Sequence, residues 1–194
     1  SLIRALSILI LGKHGATKSA NDHGIRTMAK DTDSKPQFKS SPCMMHETDS
    51  SYHGFLSSDD TVAFLLSLLH AERAGTKVCL LSEKDAPSVQ HKKLLNDICQ
   101  DEQKSCYGLL ESLKIMGSTA DNKIGDFAAK CLAIGCLDER LQFLNRGQGW
   151  VVREIEKNVA RISDTEVQKQ LRVMLQEHRQ NIDKVNRFLN NKNT

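Results

Sequence analysis

Four ionisable side chains sit at or beside positions that helical periodicity gives to apolar residues. Glu72 is in line with Leu65, Leu69 and Cys79, and Glu102 lies between Ile98 and Cys106. Glu139 falls between the stripe of Leu137, Leu141 and Leu144 and the adjoining one of Cys136 and Phe143. His178 follows Leu171 and Met174 and precedes Ile182. Each belongs to a different predicted helix, so a bundle of those helices draws three carboxylates and one imidazole towards mid-bundle. Oxygen and imidazole ligands in that arrangement suit iron or manganese. Without a partner, each buried carboxylate costs several kcal/mol, roughly 2–7 for a polar group and more for a charge. Arg73, Arg140, Arg146 and Arg153 are near enough in register to neutralise them, and a water network is a further alternative. The expectation drawn here is the buried polar network, with a single-metal site at Glu72, Glu102, Glu139 and His178 as the alternative.

The elements that must position these residues are four long amphipathic helices. Ser57-Ser58-Asp59-Asp60 is a capped start with first-turn acids, and the helix it opens runs to about Ser82. After Asp85-Ala86-Pro87-Ser88 a second helix runs to about Met116, where Gly117 ends it. A third is expected from near Lys123 through Gly135–Val152 to about Ala160, with Gly147 and Gly149 as a point where it could bend. Ser163-Asp164-Thr165-Glu166 is a capping box for the fourth. Short links between long amphipathic helices predict an all-α antiparallel four-helix bundle over residues 56–190, with a tail at 191–194.

Residues 1–55 read differently. A possible short helix at Leu2–Leu11 gives way to aperiodic text punctuated by Gly12, Gly15, Gly24, Pro36 and Pro42. The segment is basic and free of acids before Asp22, which is the composition of an organelle-targeting sequence. A mitochondrial location follows as an expectation, with a bacterial cytoplasm as the alternative. The segment has too little apolar surface to order itself, so docking on other protein subunits is its expected role. Cys43, His46 and His53 could begin a zinc site, but no fourth ligand is evident.

The totals exclude other classes. A net charge of +3 is too small to argue for nucleic-acid binding, and no apolar run approaches the roughly 20 residues of a membrane-spanning helix. Six cysteines with no C-x-x-C pair, mostly on apolar helix faces, read as reduced core thiols; Cys131 and Cys136 are five apart, too poorly spaced to share a metal. There is no phosphate loop and no nucleophile elbow.

Several blocks carry a resemblance: Phe64 to Gly75, Asp101-Glu102, Gly125-Asp126-Phe127, Phe143 to Arg153 (Phe-Leu-Asn-Arg-Gly-Gln-Gly-Trp-Val-Val-Arg), and Met174 with His178 and Asn181-Ile182. In these the chain, from about Phe55 to Phe188, resembles ferritin-like bundle proteins, most closely a bacterial ferritin-like family with no activity to carry over. The resemblance implies the ferritin-like fold. It also exposes a departure, because di-iron relatives bear Glu-x-x-His on two helices. Here Ser105 and Cys106 follow Glu102 at three and four residues, and Leu175 stands three before His178. A complete two-metal site is therefore not written in this chain. The expected function is a non-catalytic accessory or structural subunit of a larger assembly, with no cofactor. The alternative is an iron- or manganese-dependent ferritin-like oxidase or oxygenase.

Overall fold

The computed structural model describes residues 54–191. The possible helix at Leu2–Leu11, the candidate zinc ligands Cys43, His46 and His53, nearly all of the N-terminal extension and the last three residues of the tail lie outside the described residues.

Among the described residues there are five α-helices: α1 (Ser58–Ser82), α2 (Val89–Ile115), the short α3 (Phe127–Leu132), α4 (Leu137–Asn158) and α5 (Thr165–Asn190). Among the described residues there is no strand. No helix among them is long and apolar enough to cross a membrane. The starts are chemical. Ser57 Oγ accepts from the Asp60 backbone N–H, Ser88 Oγ from that of His91, and the Asp164 carboxylate from those of Glu166 and Val167.

The four long helices form a ring in which α1 packs on α2, α2 on α5, α5 on α4 and α4 on α1. Each neighbour pair is antiparallel. One apolar cluster gathers Val78, Leu95, Ile98, Leu137, Leu141 and Val185 at one end. The other gathers Leu65, Leu109, Leu113, Val151, Ile155, Leu171 and Met174 at the opposite end. The chain thus climbs α1, descends α2, descends α4 and climbs α5. Two successive descents require a long return, and residues 116–136 supply it. That crossover runs up the flank of α1: the Gly125 N–H donates to the His70 carbonyl at 3.1 Å. Arg73 Nη1 donates to the carbonyls of Asp121 (2.6 Å) and Lys123 (3.1 Å).

The expected single helix from Lys123 to Ala160 is interrupted. Residues 133–136 are not helical, and α4 starts at Leu137. The cause is Arg140, a buried guanidinium. Its Nε and Nη2 take the Ile134 carbonyl at 3.0 and 2.7 Å, and its Nη1 reaches Ser82 Oγ at 3.0 Å and Asp85 Oδ2 at 2.7 Å. These bonds pin the chain before α4 in a non-helical path, and Gly135 adds a residue of low helix propensity at that point. Helix α4 runs unbroken through Gly147 and Gly149. Gly147 is there for packing: a methyl built on it would lie 2.6 Å from Phe127 Cζ of α3.

Gly147→Ala should therefore destabilise the bundle by about 1–3 kcal/mol through overpacking, despite alanine's better helix propensity. Gly149→Ala, whose new methyl meets only the movable Arg153 Nη1 at 3.4 Å, should be neutral or stabilising. Chemical denaturation of the two variants checks this; equal effects would contradict the packing role of Gly147.

Candidate metal centre

Between the two apolar clusters lies a polar layer. On α1 the buried sequence passes from Leu69 to Glu72 and then Ala74, and on α2 from Cys99 to Glu102 and Ser105 and then Leu109. On α4 it passes from Leu144 to Gln148 and then Val151, and on α5 from Met174 to His178 and Asn181 and then Val185. Each long helix thus interrupts its apolar stripe with buried polar side chains.

Glu72, Glu102 and His178 converge there. All three are buried, and one ligand atom from each lies within 4.8 Å of the others. His178 Nε2 is 3.1 Å from Glu72 Oε1, and its Nδ1 is 3.0 Å from the Met174 carbonyl oxygen. A carbonyl only accepts, so Nδ1 carries a proton and donates it, which orients Nε2 into the cluster. Gly75 makes room for the second carboxylate: a methyl on it would lie 2.7 Å from Glu102 Cδ. Glu72 Oε2 is buried with no hydrogen-bond partner among the described residues.

Glu139 is not part of the site. It is exposed in the first turn of α4. It stands two residues, about 200° of rotation, from both Leu137 and Leu141, whose stripe faces the core. The residue of α4 that does reach the layer is Gln148, seven after Leu141 and four after Leu144 on the same stripe.

The proposed neutralising arginines are elsewhere too. Arg73 serves the crossover and Asp121, and Arg140 serves Ile134 and Asp85. Arg146 lies over the Phe143 ring at 4.8 Å, and Arg153 is exposed. No arginine forms an ion pair with Glu72 or Glu102 among the described residues, where the ion pair of the layer is His178 with Glu72.

The electrostatics follow from that arrangement. Burial pushes the Glu102 carboxyl well above the usual carboxylate range, and the nearby Glu72 charge, a hydrogen bond with Glu72 and the Asp101 charge push it further. Burial alone would favour a neutral His178 ring, but the charge of Glu72, its hydrogen bond and the Met174 carbonyl raise the imidazole above its ordinary value. Without a cation, the surroundings thus favour the protonated form of both Glu102 and His178.

The layer forms one end of a cavity of about 280 Å³ that also meets Leu144, Gln148, Val151 and Phe127. Exposed Ser67 and half-exposed Trp150 stand at its outer rim. The five described cysteines are free thiols; burial raises Cys79, and the Glu102 charge adds to that.

These features define an all-helical bundle with a carboxylate–histidine cluster at its waist. Over residues 59–187 the chain matches the family described as Domain of unknown function (DUF6306), and it belongs to that family. No curated protein and no solved structure matches it.

Both shifted groups hold their protons more tightly in the fold than in the unfolded chain. The raised His178 stabilises the fold below its ordinary value of 6.5, a contribution lost as pH rises through its folded value. The raised Glu102 keeps a proton that the unfolded chain releases above 4.5, so it too makes stability fall as pH rises. Chelator-treated protein should therefore lose Tm as pH rises above the ordinary values of 4.5 and 6.5, and Glu102→Gln should flatten that slope and raise Tm at the alkaline end. A Tm that rises with pH, or a slope unchanged in Glu102→Gln, would contradict the assignment.

Proposed function

We propose that this bundle is a mononuclear metal protein whose ion is held by Glu72, Glu102 and His178. The observation that carries the reading is one ligand atom each from buried Glu72, Glu102 and His178 within 4.8 Å of one another, with no guanidinium beside the two carboxylates. Two carboxylates and a neutral imidazole balance the charge of a divalent cation, which an arginine network was expected to do instead. The spacing fits as well. Ligands opposite one another across a first-row ion stand about 4.2 Å apart at bonds of about 2.1 Å, so a cluster spread over 4.8 Å closes on the ion with shifts of a few tenths of an ångström. The mixed oxygen and imidazole donors favour iron or manganese. With three protein ligands the ion keeps positions for a small molecule, and it would supply Lewis-acid or one-electron chemistry at the inner end of the cavity.

The ferritin-like assignment belongs to this proposal. What supports it is the topology, four antiparallel helices with one long crossover and a metal-ligand set facing the bundle interior. One helix departs from that scheme by offering Gln148, and the Glu-x-x-His pairs are incomplete, so the site takes one ion. The alternative of a non-catalytic accessory subunit draws on the N-terminal extension, nearly all of which lies outside the described residues.

Native protein should contain close to one equivalent of iron or manganese by elemental analysis. Glu72→Gln, Glu102→Gln and His178→Ala should each weaken binding by more than the 10–100-fold typical of losing a supporting residue. Glu139→Ala should bind as the parent does. Because binding displaces protons from Glu102 and His178, affinity should rise with pH. A protein that stays metal-free after loading, or one that loses its ion on changing Glu139, would end this reading.

A further inference from the structure

Gln148 has no part in holding the ion as described, yet among the described residues its side chain is the one with both polar atoms buried and unmet. It is 2 % exposed. Neither Oε1 nor Nε2 has a hydrogen-bond partner among the described residues. An amide left so costs about 1–3 kcal/mol per unmet group, so a buried glutamine of this kind answers to something that enters the cavity. That something must accept from Nε2 and donate to Oε1 at one place.

The cavity restricts it further. Ala71, Phe127, Leu144, Val151 and Trp150 line it with hydrocarbon. An apolar cavity of about 150 Å³ holds benzene, so one of about 280 Å³ takes a body of roughly ten non-hydrogen atoms. Charge restricts the head group. No lysine or arginine lines the cavity, so an anion would be buried without a cationic side chain beside it, and an ammonium offers no acceptor to Nε2.

We propose that the cavity is a binding site for a small neutral molecule with a mainly apolar body and one amide or hydroxyl head, the head gripped by Gln148 beside Glu72 and Glu102 and the body lying against Phe127 and Trp150. The site uses the same cavity as the proposed ion but rests on Gln148, and it exists with or without the ion.

Trp150 is the single tryptophan of the chain and lines the cavity, so its fluorescence reads occupancy directly. The full chain, both metal-free and loaded with iron or manganese, is titrated with 3-phenylpropanamide, 3-phenylpropan-1-ol, propylbenzene and 3-phenylpropanoate, exciting the indole alone. The amide and the alcohol should give a saturable change, and propylbenzene should bind at least tenfold more weakly, as should the carboxylate in the metal-free protein, where no ion can take it as a ligand. In Gln148→Leu the order should invert, with propylbenzene binding more tightly than the alcohol. Should that variant not fold, the contrast between amide and hydrocarbon in the parent chain decides by itself. Equal binding of amide and propylbenzene by the parent, or no saturable response to any probe because the cavity holds only water, would overturn the proposal. Amide binding by a protein that takes up no metal supports this site and ends the metal reading. Metal uptake with no response to any probe ends this one.

Discussion

Two carboxylic acids buried within reach of each other cannot both stay ionised without a cation. In this bundle the cation is not an arginine, because the guanidiniums that could serve are committed to the crossover, to the start of α4 or to the surface. What remains is an imidazole for one acid and a proton or a metal for the other. A proton on Glu102 lets the two acids share a hydrogen bond, whereas a cation would meet both carboxylates at once. The surrounding fold is arranged for this layer rather than against it. Gly75 leaves space for the Glu102 carboxyl, the Met174 carbonyl sets the tautomer of His178, and apolar clusters on both sides keep the layer dry enough for the charges to matter.

The crossover is the second device. By running up the flank of α1 it covers that side of the bundle. Polar contacts tie it to α1: the His70 carbonyl, the Arg73 guanidinium, and His70 Nε2 at 2.6 Å from Asp121 Oδ1. Its short helix adds Ala128 and Cys131 to the apolar cluster of Leu137 and Leu141, and Phe127 stacks on Phe143 with ring centres 5.0 Å apart and sits in the notch at Gly147. The same residue forms a wall of the cavity, so the packing that closes the fold also shapes what can reach the acids.

The long helices were legible because apolar periodicity and capping chemistry are local. Glu72, Glu102 and His178 were legible for the same reason, each falling within a stripe of leucines or its equivalent. Glu139 was misplaced because it was read between two stripes. Counting every core residue of that helix (Leu137, Leu141, Leu144, Val151, Ile155) puts Gln148 in register and Glu139 on the opposite side. A buried glutamine reads as a surface residue unless the whole stripe is followed. The break before Leu137 was not legible, because it depends on Arg140 meeting Ser82 and Asp85, more than fifty residues away in sequence. The same long-range pairing removed Arg140 from the candidate partners of the acids.

The most direct measurement is anomalous diffraction from a crystal of protein purified with its native metal content, with data collected on both sides of the iron and manganese absorption edges. A single anomalous peak bounded by the Glu72 and Glu102 carboxylates and His178 Nε2 is the predicted result. A layer with no peak, in which waters or an arginine complete the hydrogen bonds of Glu72 and Glu102, would contradict the account.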